Sequence, residues 1–275
     1  MNSEDEENVS QISPLMMTPA ELQNVPVEEL PIESDADSES AVIFDPFVPR
    51  YANDDLYCKV PIPLQEHVLM KVVRNKEGNL PTYDLYLERT GTEELYLLHA
   101  RKQFGSQTYL IYTDAKADKY LGKVTCNFLG TIFTISDDID NDIVKVLYAP
   151  NILGFKGPRC MSIILPAFRK GKRLELTQDL HDLYKVNSKD IVTLQNKTPL
   201  WNEESNSYVL NFNGRVTVAS VKNFQITPNQ DLDYILLQFG RVAPDTFTLD
   251  CRYPISVLQA FGIALTSFES KIACE

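Results

Sequence analysis

The sequence predicts a mainly β domain: a closed antiparallel barrel of about twelve strands around a buried C-terminal hydrophobic helix. Three observations carry that reading. From Tyr57 onward, short alternating or β-branched runs recur along the chain. Turn residues separate them at the roughly 8–12-residue spacing of closed or sandwiched antiparallel sheets. The segment from Ile255 to Leu265 is apolar on nearly every side, the mark of a helix enclosed by a core.

The expected strands run in order. Val68–Val73 ends at the turn-like Asn75-Lys76-Glu77-Gly78-Asn79, and Tyr83–Leu87 and Glu94–Leu98 flank Thr90-Gly91-Thr92 as a hairpin. Next come Thr108–Tyr112, Tyr120–Phe128, Thr131–Ile135, Val144–Tyr148, Met161–Leu165, Leu174–Thr177 and Ile191–Leu194. The last group is Tyr208–Phe212, Val216–Ser220, Asn223–Ile226, Tyr234–Phe239 and Thr246–Leu249. So many strands would overextend a flat open sheet, and closure is expected. The apolar helix follows Pro254, a residue suited to a first helical turn. It is too short for a bilayer, which needs about 20 residues. It is therefore expected to run through the barrel, with Gly262 as a close approach to a strand.

Charge is unevenly spread. Of the 38 acids in 275 residues, eleven fall in the first forty, where there is no Lys or Arg; the rest holds 27 acids against 26 basic residues. The net charge of −12 is thus mostly a property of the tail, and the body is nearly neutral. Residues 1–43 contain Pro14, Pro19, Pro26 and Pro31 and no aromatic residue, so they are read as a disordered acidic tail ahead of one domain, 44–275. The run from Ser34 to Ser40 has the pattern of an acidic-directed kinase site, and equally of a solubilising tail. No cationic stretch precedes an apolar one, so no secretory signal is expected. Five widely spaced cysteines without CxxC suit thiols in a reducing compartment better than a disulfide framework.

No phosphate-binding, dinucleotide, zincin, nucleophile-elbow or EF-hand pattern occurs. His67, His99 and His181 are far apart and are read as surface or turn residues. The acidic run Asp137–Asp142 lacks the glycine turn and closing glutamate of a calcium loop. The expectation is a non-enzymatic binding protein with no cofactor and no metal, and no nucleic-acid partner.

Four stretches carry a resemblance. Asn211–Gln225 (NFNGRVTVASVKNFQ) and Ser267–Glu275 (SFESKIACE) closely resemble the two signature stretches of the tubby family, and Asn151–Arg159 and Leu194–Asn202 are similar to further family segments. The resemblance spans Tyr57 to Glu275. It implies a twelve-stranded barrel around a C-terminal helix, in agreement with the pattern. It also implies a site for the head group of phosphatidylinositol 4,5-bisphosphate, or a related lipid, on the barrel surface. Such a site needs Arg for bidentate contacts and Lys as a point charge.

The family's Gly-Lys-x-Arg strand, which runs on into Asn-x-x-Gly-Thr, resembles Gly122–Thr131, with Lys123 kept and Thr125 in place of the arginine. The family asparagine before the Tyr-Leu-Ile strand falls on Thr108, and a second arginine falls on or near Asp140. A basic family loop is thinned to Arg101-Lys102-Gln103-Phe104-Gly105. The implied lipid contacts are Lys123, Thr125, Thr108, Asp140, Arg101 and Lys102, with Phe104 able to dip into an interface and Lys116 and Lys119 as nearby cations. Each charged hydrogen bond contributes about 1.5–3 kcal/mol, so losing two arginines weakens binding by about a hundredfold or more.

The resemblance therefore implies a peripheral membrane adaptor with weak or altered phosphoinositide recognition. It would couple protein cargo to transport machinery, including ciliary transport. It would be cytoplasmic, with plasma-membrane, ciliary or nuclear pools, and a monomer. The alternative is a lipid-blind protein-interaction module that keeps the barrel. Transcriptional co-regulation through the acidic tail ranks third, and an enzyme last.

Overall fold

The computed structural model describes residues 55–89, 93–149, 160–169, 172–203 and 207–269. The tail and the start of the expected domain, the Thr90-Gly91-Thr92 turn, the Asn151–Arg159 motif and the last six residues lie outside them. A short helix α1, Asp55–Lys59, precedes β1 (Val68–Asn75), β2 (Thr82–Leu87), β3 (Leu95–Lys102), β4 (Tyr109–Tyr112), β5 (Tyr120–Cys126), β6 (Ile132–Asp137), β7 (Asp142–Tyr148) and β8 (Met161–Pro166). The pair β9 (Phe168–Arg169) and β10 (Lys172–Arg173) leads to helix α2 (Leu180–Lys185) and β11 (Ile191–Asn196). There follow a second small pair, β12 (Leu200–Asn202) and β13 (Ser207–Val209), then β14 (Phe224–Pro228), β15 (Leu237–Ala243), β16 (Thr246–Cys251) and helix α3 (Val257–Thr266).

Twelve strands close in the order β1-β16-β15-β14-β11-β8-β7-β6-β5-β4-β3-β2, with every pairing antiparallel. Alternation sets the wall. In β1, Val68, Met70 and Val72 are buried while Leu69, Lys71 and Val73 are half-buried, because successive strand side chains face opposite sides.

The axis is filled by α3, whose ten residues are all buried. It packs against β5, β6, β7, β16 and α1. Ser256, rather than a proline in the first turn, starts it: Ser256 Oγ accepts from Gln259 N at 3.3 Å and Gln259 Oε1 accepts from Ser256 N at 3.0 Å. This reciprocal box satisfies two of the donors a helix start leaves open. Gln259 Nε2 also donates to the Ile143 carbonyl at 2.9 Å, tying the helix start to the beginning of β7. At the other end, Thr266 Oγ1 lies 2.8 Å from Tyr148 Oη, and Lys222 Nζ donates to the Ser267 carbonyl at 2.9 Å. Phe268 then caps the barrel mouth against Tyr83, Phe239 and Phe247. Gly262 is the close approach expected of it: a Cβ there would lie 2.8 Å from Ile135 Cγ1 on β6.

Four expected strands differ. Leu174–Thr177 is irregular, the strand expected over Tyr208–Phe212 is the short β13 paired with β12 outside the barrel, Val216–Ser220 is a strap over the outside of the barrel, and the strand expected from Tyr234 begins at Leu237. In the strap, the Thr217 and Val218 amides both donate to the Arg241 carbonyl, and Val216 sits where a side chain at Gly240 would otherwise be. The strap pins Arg215 against the wall. Its guanidinium reaches Asp250 (Nη2 to Oδ1 2.6 Å, Nε to Oδ2 2.9 Å) and Glu88 (2.8 Å). The Asp250 carboxylate also accepts from Gln238, which in turn accepts from Gln225. The signature stretch Asn211–Gln225 is thus a polar clamp holding β14, β15 and β16 together.

Candidate ligand-binding face

The up-and-down succession of β1 to β8 sorts the turns. Those after β1, β3 and β5 open on the rim where α3 ends, and those after β2, β4 and β6 open on the rim where it begins. On the outer face between them, Arg101 pairs across from Leu110, Leu110 from Lys123, and Lys123 from Ser136. Arg101 and Lys123 therefore stand in one cross-strand row, two strands apart, about 10 Å between backbones. Thr125, two residues nearer the rim where α3 ends, pairs with Thr134. Extending the β4–β5 register by one residue sets Thr108 opposite Thr125.

Asp140 comes from the β6–β7 turn with φ of 65°, a conformation Asp tolerates better than most residues. Asp137 fixes that turn by accepting from the Ile139 and Asn141 amides at 3.1 and 2.9 Å. The result aims the Asp140 carboxylate along the outer face, where Oδ1 lies 2.7 Å from Lys123 Nζ. That hydrogen bond raises the Lys123 pKa above its ordinary value, so the ammonium is fully charged at neutral pH and already has an anion beside it. Gly122 permits the close β5–β6 pairing, since a Cβ there would run into the Ser136 carbonyl.

Arg101 is exposed. Its guanidinium lies 5.0 Å from the Tyr112 ring centroid and donates to Tyr112 Oη at 3.1 Å. Tyr112 in turn meets Tyr120 edge-on. Stacking of this kind orients a guanidinium while leaving donors for a ligand.

Lys102 does not join the group. Strand alternation sends it to the barrel mouth, where Nζ lies 2.7 Å from Glu269 Oε2 over the Tyr109 ring. Lys119 sits on the opposite rim, 2.8 Å from Asp55 of α1. The face thus unites Lys123, Asp140, Thr125, Thr108 and Arg101, and leaves Lys102 to hold the C-terminal segment.

The acids of the β6–β7 turn are each engaged separately: Asp138 with Lys59, Asp140 with Lys123, and Asp142 with Ser136 and Lys145. Lys145 is drawn in further by Asp179. Burial lowers its pKa, but the two carboxylates outweigh that and hold it above the ordinary lysine range. His99 departs from the surface residue expected: it is buried on β3 with Nδ1 2.8 Å from Asp84 Oδ1, which also accepts from Tyr96 Oη. His67, His99 and His181 stand before β1, on β3 and in α2, on separate elements. No described helix is long and apolar enough to cross a membrane.

A closed antiparallel barrel of twelve strands threaded by its own C-terminal helix is the architecture of a tubby-like domain. The Tub family model matches residues 58–270, well over half of the chain, and the chain belongs to that family. Among curated proteins it is similar to Protein king tubby of Drosophila virilis, 42% identical over 248 residues that cover 80% of this chain and 54% of the relative. It is likewise 42% identical to Protein king tubby of Drosophila melanogaster over 250 residues, covering 81% of this chain and 54% of the relative. The chain spans about half the length of these relatives.

Proposed function

We propose that the chain is a non-enzymatic adaptor whose tubby-like domain, residues 44–275 behind an acidic tail, binds phosphoinositide head groups through the outer face of β3 to β6. Binding is weak or altered in specificity, and the adaptor links membranes to protein cargo or transport machinery, ciliary cargo among them. Its place is cytoplasmic, with plasma-membrane, ciliary or nuclear pools. The observation that carries the reading is the shared row of Arg101 and Lys123 on a rigid wall. Two cations about 10 Å apart suit an anion bearing several phosphates. Thr125 and Thr108 supply hydroxyls that can donate to phosphate oxygens without adding charge. Asp140 competes for Lys123, so a head group must displace it, which weakens binding.

The second reading is a lipid-blind interaction module, and the Lys123–Asp140 pair is the observation in its favour. Co-sedimentation of the full chain with phosphatidylcholine vesicles, with and without phosphatidylinositol 4,5-bisphosphate, separates the two. The adaptor reading expects binding that needs the bisphosphate and falls about tenfold in Lys123→Ala, as loss of one charged contact of about 1.5 kcal/mol requires. Absence of binding in the parent, with recovery in Thr125→Arg, would favour the lipid-blind module.

A further inference from the structure

We propose that the tips of the β3–β4 and β5–β6 turns, Phe104 and Phe128-Leu129, insert into the acyl boundary of the leaflet whose head groups reach Lys123 and Arg101. The inference rests on the head-group reading above and adds the membrane contact and the orientation of the barrel. Phe104, Phe128 and Leu129 are 85%, 87% and 63% exposed. They occupy the apices of adjacent turns on one rim, positions that usually carry Gly, Asn, Asp or Ser. Both turns are built to hold them out. The Ser106 amide donates to the Gln103 carbonyl, which leaves Phe104 and Gly105 at the apex. Asn127 Oδ1 accepts from the Thr131 and Ile132 amides at 2.9 and 3.1 Å and the Gly130 amide donates to the Asn127 carbonyl, which leaves Phe128 and Leu129 at the other.

Charge decides for a lipid surface. The segments 103–107 and 127–130 contain no charged residue, and Arg101 stands just behind them. On the opposite rim, the turn after β4 balances Asp114 and Asp118 with Lys116 and Lys119, and the turn after β6 carries Asp137 and Asp138 besides the Asp140 that faces Lys123, so these two turns offer an anionic leaflet no net positive charge. Depth agrees. Phe128 lies five residues beyond Lys123, about 16 Å along a strand and about 12 Å along the axis of a barrel whose strands tilt by about 40°. Tips buried about 5–10 Å then leave Lys123 roughly 2–7 Å above the acyl boundary, within a head-group layer of about 5–8 Å. Two separate convex apices suit a fluid leaflet better than a flat protein interface.

The test uses the full chain and vesicles of phosphatidylcholine alone, with phosphatidylserine, or with phosphatidylinositol 4,5-bisphosphate. The Phe104→Ser/Phe128→Ser/Leu129→Ser variant is expected to lose at least tenfold in vesicle partitioning at an unchanged melting temperature. A Phe128→Trp reporter is expected to be quenched by brominated acyl chains beyond the parent's Trp201 signal. A triple variant that binds bisphosphate vesicles like the parent, with an unquenched reporter, would overturn insertion and leave the head-group reading standing. Tip-dependent binding indifferent to bisphosphate would uphold insertion and remove the head-group reading. No binding of the parent to any vesicle would overturn both. Self-association lost in the triple variant, without vesicle binding, would assign the tips to a second copy and overturn the proposal.

Discussion

Arg215→Ala is expected to destabilise the fold by about 3–5 kcal/mol, the usual consequence of stripping one partner from a buried ion pair. Asp250 has no exposed side-chain surface, and among the described residues Arg215 alone forms an ion pair with it. The Asp250 hydrogen bonds, then those of Glu88, hold the guanidinium above even the ordinary arginine range. Without it, among the described residues the carboxylate keeps only the Gln238 amide as a side-chain donor. Native domains are stable by about 5–15 kcal/mol, so the loss takes about a fifth or more of the total. Urea unfolding of Arg215→Ala, Asp250→Asn and the double variant checks it. The double variant should be less destabilised than the two single losses added together, because removing the carboxylate also removes the unpaired charge. A loss below about 1 kcal/mol in Arg215→Ala would mean that the strap does not clamp the wall.

Phe261→Ala is expected to cost about 3–5 kcal/mol as well, here through a cavity at the barrel axis. Phe261 has no exposed surface, and its helix is enclosed by strands, so the wall cannot close in on the gap without breaking its register. Phe104→Ala is the internal control. The chemical change is the same, but at 85% exposure the effect should stay within about 0.5 kcal/mol. Urea midpoints of the two variants, measured side by side, check the contrast. Equal losses would contradict the axial position of the helix.

Much of the fold was legible because its periods are plain. The β1 alternation points to a half-buried strand, and the Ile255–Leu265 segment, apolar on nearly every side and too short for a bilayer, to an enclosed helix. The strap misled for a physical reason. Residues 216–220 alternate in burial like a strand, yet they lie on the wall as a single extended segment, and one-dimensional alternation does not reveal whether a ladder partner exists. Leu174–Thr177 reads as strand from its apolar alternation, and Tyr234–Leu236 from its apolar and β-branched run, signals that tertiary context overrides. Pro254 places the expected helix start two residues early, at Ile255, because the box of Ser256 and Gln259 that caps the helix lies just beyond it.

The candidate face was legible by position and not by geometry. Lys123, Thr125 and Thr108 could be located by resemblance, and Asp140 only by alignment across a gap. That Asp140 reaches back to Lys123 depends on a left-handed turn residue and on the Asp137 side chain, neither of which has a sequence signature. The resemblance to the family's basic loop groups Lys102 with Arg101, although strand alternation sends neighbours to opposite faces. The apolar tips are only half legible: Phe104 stands out, while Phe128 reads as the end of a strand and Leu129 carries no signal of its own.

The central claim is that Lys123 serves a head group and that Asp140 opposes it. Calorimetric titration of the full chain and of Asp140→Asn with soluble inositol 1,4,5-trisphosphate tests this most directly. Freeing Lys123 from an exposed pair worth up to about 1 kcal/mol should tighten binding by up to about fivefold, and Lys123→Ala should abolish the gain. Equal affinity in the parent, Asp140→Asn and Lys123→Ala would contradict a head-group site on this face.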